Sequence, residues 1–240
     1  MTITLVGGFT GASGGSGTAT TGTRTTTTGN FLVSAGSTQN AAATTWRTTV
    51  ATTQNLTVIG RRTASGDSID TAYLANITGK TNDAILYTPA SGAFVSVSAA
   101  EFAGVKTTSP LDVENHASGG TTGAYTAGAT ISCPTLTTTQ AGDLVIGVVT
   151  VEAGSTGTFS GVGSWAIASQ YGDANVSSTS VIIYQIVGGA GSYTPQCTYS
   201  VNGTAVGTAA SAFFDANPPA GFVRPTIVVP TGAVTHAASW

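Results

Sequence analysis

Residues 177–215 read SSTSVIIYQIVGGAGSYTPQCTYSVNGTAVGTAASAFFD. Short apolar runs separated by Gly, Pro, Ser and Asn lead to the pair Phe213-Phe214, a pattern that predicts three short strands with turns between them. The same features stand in the same order upstream, in DTAYLANITGKTNDAILYTPASGAFVSVSAAEFAGV, residues 70–105. Tyr73 matches Tyr184 and Phe102 matches Phe213, each 111 residues on, and Ile85-Leu86-Tyr87 matches Cys197-Thr198-Tyr199. A diverged internal repeat fixes an architecture before any single residue is interpreted.

Working outward, NFLVS at 30–34 opens the first copy and DLVIG at 143–147 the second, with Gly29 and Gly142 in front of them. An apolar run directly after a turn residue is the mark of a core strand. In FVSVSAAEF, residues 94–102, one face carries Val95, Val97 and Ala99 and the other Phe94, Ser96, Ser98 and Phe102; in TAVGTAASAFF, residues 204–214, the matching face carries Val206, Thr208 and Ala210. Alternation at period two predicts half-buried strands. Each copy has one Trp in its variable middle, Trp46 and Trp165, about seven residues out of step, and a core-filling role is expected for both.

The fold expected is therefore all-β: two tandem antiparallel β-sandwich domains from a diverged internal repeat, with extended N- and C-terminal arms. Residues 1–28 form a short strand and a Gly/Ser/Thr-rich arm, which either stays an arm or completes the first sandwich as an edge strand. Residues 29–105 are the first sandwich, 106–127 a linker, 128–216 the second sandwich and 217–240 a Pro-rich arm. Four prolines bar that last segment from a central strand or a helix. Its apolar residues Phe222, Val223, Ile227, Val228, Val229 and Trp240 are the candidate partner-binding residues, by adding to a sheet edge or lying on a neighbour; packing back on the chain's own domain is the competing reading.

Composition narrows the function classes. Only 7% of the 240 residues are charged, against roughly 25% in ordinary soluble domains, while Thr supplies 45 positions and Gly 32. With a net charge of −3 and scattered Lys and Arg, no basic stripe is available for phosphates, so nucleic acid is excluded as a partner. No apolar run is long enough for a membrane-spanning helix. MTITLVGGFTG lacks the basic start and apolar core of a signal peptide, so with Met1 as the natural start, export by the ordinary secretory route is not expected. So little charge at positive mean hydropathy favours a chain that lives in an assembly.

The reactive inventory is thin. Cys133 and Cys197 fall on an early and a late expected strand of the second copy, which a sandwich could join in a disulfide; two buried free thiols are the simpler reading. Asp112-Val113-Glu114-Asn115-His116 is the one cluster of metal-capable side chains, but a single pentapeptide does not supply three or four converging ligands, so it reads as a polar linker. Asp67 and Asp70 match only half of a calcium loop. The histidines, His116 and His236, lie off the core strands, and Glu101 and Glu152 fall at non-equivalent positions. No catalytic residue, metal ligand or cofactor is expected, and the chain is expected not to be an enzyme.

Two motifs carry a resemblance: Glu101-Phe102-Ala103-Gly104-Val105 followed by Ser109-Pro110-Leu111-Asp112, and the AGDLVIGV run at 141–148. Together they resemble the tandem β-sandwich modules of bacteriophage virion proteins, capsid decoration proteins, head fibres and tail-surface proteins, which have jelly-roll or immunoglobulin-like topology. The second copy departs from the first, ending Ala212-Phe213-Phe214-Asp215, so no functional residue transfers through Glu101. The resemblance implies a non-enzymatic virion structural protein, most simply a capsid decoration or cement protein, partnered by a major capsid or tail protein and by further copies of itself as an oligomer. It implies localisation in the virion, assembled in the host cytoplasm. The alternative is a carbohydrate-binding or adhesin module that stacks a surface glycan on Trp46, Trp165 or loop tyrosines.

Overall fold

The computed structural model of the chain describes residues 2–39, 44–49, 53–64, 67–90, 93–172 and 179–218. The described residues form no helix, and so none long and apolar enough to cross a membrane. The first half contains Thr4–Gly8 (β1), Ala12–Ser16 (β2), Ala19–Thr20 (β3), Phe31–Gln39 (β4), Thr44–Thr48 (β5), Thr57–Ala64 (β6), Asp67–Leu74 (β7), Ile85–Pro89 (β8) and Ala93–Ala103 (β9). The second contains Leu111–Asn115 (β10), Thr130–Ser132 (β11), Leu136–Thr138 (β12), Leu144–Glu152 (β13), Phe159–Gly161 (β14), Ala166–Tyr171 (β15), Ser180–Ile186 (β16), Gly191–Tyr193 (β17), Gln196–Tyr199 (β18) and Ala205–Phe213 (β19).

Two large antiparallel sheets have corresponding strand orders, β1-β9-β4-β7-β6 and β10-β19-β13-β16-β15. The correspondence extends to register. Phe31 pairs with Phe102 where Leu144 pairs with Phe213, and Val33 pairs with Tyr73 where Ile146 pairs with Tyr184. Even the irregularities recur: β1 and β10 each slip by one residue, between Leu5 and Gly7 and between Leu111 and Val113. The edge strands β6 and β15 do the same, between Val58 and Gly60 and between Ile167 and Ser169. Gly29 and Gly142, ahead of β4 and β13, take left-handed φ values of 89° and 87°, a conformation glycine adopts at little cost.

Each large sheet has a smaller one on its outer side, β3-β8-β5 in the first half, β11-β18-β14 and β12-β17 in the second. One apolar layer, including Leu32, Trp46, Tyr87, Val95 and Val97, fills the first sandwich, and another, including Val145, Val149, Phe159 and Tyr199, fills the second. A third layer lies between the two large sheets and draws on both: Phe31, Val33, Ile69 and Phe102 against Leu144, Ile146, Ile182 and Phe213. The sandwiches are thus stacked through a shared core and are not separate bodies on a linker.

The half-buried strands expected of β9 and β19 are buried on both faces: Val95, Val97, Ala99, Ser96, Ser98 and Phe102 are all inaccessible, as is every residue from Ala205 to Phe213. The face of Val95, Val97 and Ala99 meets the small sheet, and the face of Ser98 and Phe102 meets the opposite large sheet. The stack has an approximate two-fold relation. Phe102 meets Tyr184 edge-on at 5.2 Å and 69°, and the counterparts Phe213 and Tyr73 meet at 5.6 Å and 63°. Ser37 and its counterpart Thr150 bond to each other at 2.8 Å, as residues near such an axis must.

Two segments outside the expected sandwich bounds are built into the sheets: the N-terminal stretch follows the edge-strand reading, and the linker does not stay a linker. Within the Gly/Ser/Thr-rich stretch, residues 12–16 form β2 on the edge of β9. Backbone ladder bonds order it without large apolar side chains, and Gly14 is required because a Cβ there would strike the Thr18 carbonyl. The segment read as a linker, 106–127, contributes β10 as the edge strand beside β19, with Val113 packed on the second core.

Candidate functional site

Strand β10 carries the Asp112–His116 pentapeptide, and the strand splits the cluster. Asp112 takes the Thr139 N–H at 2.8 Å and its hydroxyl at 2.6 Å, on the side where β13 begins. His116 turns toward β6, where Gly60 makes room for the imidazole; a Cβ at Gly60 would lie 2.8 Å from the ring. Its Nδ1 bonds Glu114 Oε2 at 2.6 Å, while Nε2 is buried with no partner. Burial pulls the His116 pKa below 6.5 and outweighs the Glu114 bond; the Asp70 charge also raises it, and Arg62 lowers it.

A depressed histidine pKa has a definite sign in stability. Below pH 6.5 the unfolded chain takes up a proton that the folded chain resists, so this contribution is present above pH 6.5 and is lost as pH falls toward the folded-state value. His116→Asn is expected to flatten the acid limb of a plot of unfolding midpoint against pH. An acid limb identical in the two proteins would assign that loss to other groups.

Asp143, just ahead of β13, is a candidate site residue that sequence reading missed. Its accessibility is 0%, and neither carboxyl oxygen has a well-aligned hydrogen bond. Burial first, then the approach of the Asp112 carboxyl, push its pKa up to about 7, while the Gln140 amide and the Asp215 N–H pull it down. The signal lay in the alignment of Asn30 with Asp143, a charge at the mouth of a core strand. The corresponding corner of the first half is closed by protein groups: Asn30 Nδ2 donates to Glu101 Oε1 at 2.7 Å, the Thr27 N–H at 2.9 Å, and Arg24 lies 3.5 Å from the other oxygen.

The remaining candidates are scaffold. Asp70 is 1% exposed, paired with Arg61 on β6, and accepts the Tyr87 hydroxyl at 2.6 Å. Trp46 is 2% exposed, with Tyr87 at 4.3 Å and Gly36 close against its ring, so its face is not open for a sugar. Its structural counterpart is Phe159, which meets Tyr199 at 4.4 Å and the same 35° tilt; Trp165 belongs to the turn before β15 and is partly buried against the second core. The pairing of Trp46 with Trp165 is thereby replaced. Phe222, Val223, Ile227, Val228, Val229, Trp240 and His236 lie outside the described residues.

Cys133 and Cys197 are free and buried; burial raises the Cys133 pKa and pushes that of Cys197 up to about 12. Because the thiolate is the reactive form, neither is expected to react with a thiol reagent in the folded protein, and both should react in denaturant. Fast labelling of the native protein would count against the buried placement.

Among the described residues no three His, Cys, Asp or Glu side chains converge as a metal centre. A recess of 260 Å³ is lined by Thr45, Trp46, Asn55, Leu56 and Val58, and an open one of 430 Å³ by Thr25–Thr28 and Gly79–Thr81. Lys80 is the single ionisable side chain in their linings, and its Nζ donates to Thr48. No known protein family, curated protein or solved structure matches the chain.

Proposed function

We propose that the chain is a non-enzymatic structural protein of a bacteriophage particle, a capsid decoration, cement or other virion-surface protein held by its terminal segments. The observation that supports this reading most is where the polar and aromatic side chains go. Trp46, Tyr87, Tyr199, Asp70 and Glu101 lie inside the stack, and among the described residues the two recesses named above offer no carboxylate, imidazole or thiol. A four-layer body joined by a shared core suits a part that must keep its shape, and so few charges suit a part that is covered by neighbours. The partners would be a major capsid or tail protein and further copies of the chain, in a virion assembled in the host cytoplasm.

The test removes residues 217–240, which hold Phe222, Val223, Ile227, Val228, Val229 and Trp240. The truncated chain should keep its β-sheet circular dichroism and cooperative melt but no longer co-sediment with particles. Unchanged occupancy on the particle overturns the role given to the terminal segment.

A further inference from the structure

The corner formed by β10 and the start of β13 has a charge imbalance that its counterpart lacks. At the counterpart, buried Glu101 has two hydrogen-bond donors on one oxygen and the Arg24 guanidinium beside the other. Asp143 is as deeply buried, but among the described residues no cationic side chain is paired with it. The Gln140 amide, 3% exposed, faces Asp143, but its Nε2 makes no well-aligned bond there. A buried carboxyl with no aligned donor, beside a second carboxyl and an amide that is itself poorly aligned, is costly unless something compensates it.

We propose that Asp143, Asp112 and Gln140 form a binding site for a hard divalent cation of the calcium class. The donor set is all oxygen, which suits such an ion and disfavours zinc or copper. Asp143 offers both oxygens. Asp112 is fixed by its two bonds from Thr139, and each of its oxygens keeps a free lone pair. The Gln140 amide, turned half a revolution about its last bond, presents Oε1 where Nε2 makes no well-aligned bond. Two carboxylates balance the charge of one divalent ion. Asp112 is only partly buried, and its open side is the way in and the place for the waters that complete a calcium shell. With so few protein ligands the affinity belongs to the weak class, a dissociation constant on the order of 0.1–1 mM. The site does not depend on the virion reading.

The experiment is thermal unfolding of the full-length chain, stripped with chelator and titrated at pH 8 with calcium chloride, magnesium chloride and, at matched ionic strength, sodium chloride. Calcium is expected to raise the midpoint by about 3–6 °C at tenfold over its dissociation constant, and by a similar further step for each additional tenfold. Sodium chloride is expected to leave it unmoved. Asp143→Asn places at 143 the residue that stands at 30, so it should fold, and it should lose the calcium response. Three results overturn the site: no rise of the midpoint with calcium or magnesium, an equal response to sodium chloride, or a calcium response that survives in Asp143→Asn. A second variant, Asp112→Asn, at a partly exposed position, should weaken the response at least tenfold in calcium concentration; full retention counts against the site in the same way.

Discussion

Phe213→Ala is expected to destabilise the whole chain by about 3–5 kcal/mol, and to do so within a single unfolding transition. Phe213 is fully buried, pairs in register with Leu111 and Leu144 of its own sheet, and meets Phe31 at 4.7 Å and Tyr73 at 5.6 Å in the other. Removing its ring opens a cavity lined by both halves, with neither able to collapse into it alone. The counterpart substitution, Phe102→Ala, removes the contact with Tyr184 at 5.2 Å and should cost a similar amount. The measurement is calorimetry, comparing the calorimetric and van't Hoff enthalpies for the two variants and the parent. Equal enthalpies, with one midpoint moving down in both variants, are expected of a shared core. Two resolved transitions, with Phe213→Ala shifting one and Phe102→Ala the other, would mean that the halves unfold independently and that the middle layer contributes little.

The sheets themselves were legible in the sequence because their cues are local. Gly29 and Gly142 mark the turns, and the pairs Tyr73/Tyr184 and Phe102/Phe213 fall at matching register positions in the two sheets. The stacking of the two large sheets was not legible, for a physical reason. A buried face normally announces itself with large apolar side chains, whereas part of this one is built of Ser, Thr and Ala. Ser37, Ser98, Thr150 and Ser180 are all at 0% accessibility. Their hydroxyls find partners inside: Ser98 bonds the Ser180 hydroxyl at 2.8 Å, and Thr150 bonds the Thr179 carbonyl at 2.6 Å as well as Ser37. On a sequence such a face is indistinguishable from a solvated one. It also means that part of the Thr and Ser content that reads as uncharged surface is interior.

The site was hidden by the same limitation. Asp112 and Asp143 are far apart in the chain, and only the pairing of β10 beside β19 and of β19 beside β13 brings them together. The tryptophans misled in another way. Trp46 and Phe159 occupy equivalent places on β5 and β14, but a change of residue type removed the match and a second Trp nearby, Trp165, supplied a false one.

Asp70→Ala should be the costliest substitution of a polar residue in the described body, about 3–5 kcal/mol. The carboxylate receives Arg61 Nε at 2.7 Å on one oxygen, and Arg61 Nη2 at 2.9 Å and the Tyr87 hydroxyl at 2.6 Å on the other. Gly36 lies across from Asp70 in the ladder, and its missing side chain lets the rings of Trp46 and Tyr87 approach, at 2.6 and 2.8 Å from where a Cβ would be. Tyr87 belongs to the outer sheet and Asp70 to the inner one, so this one carboxylate ties two layers of the first sandwich together. Alanine removes the acceptor from a hydroxyl with 0% exposure and the charge partner from a guanidinium that is only 23% exposed. Asp70→Asn keeps an acceptor for Tyr87 but loses the charge, and should cost roughly 1–3 kcal/mol; Tyr87→Phe keeps the ring and the Arg61 pair, and should cost about 1 kcal/mol. The ranking is read from denaturant midpoints at constant slope. If Asp70→Ala costs no more than Tyr87→Phe, the carboxylate is not what joins the outer sheet to the inner one, and the packing of Trp46 on Tyr87 carries that join alone.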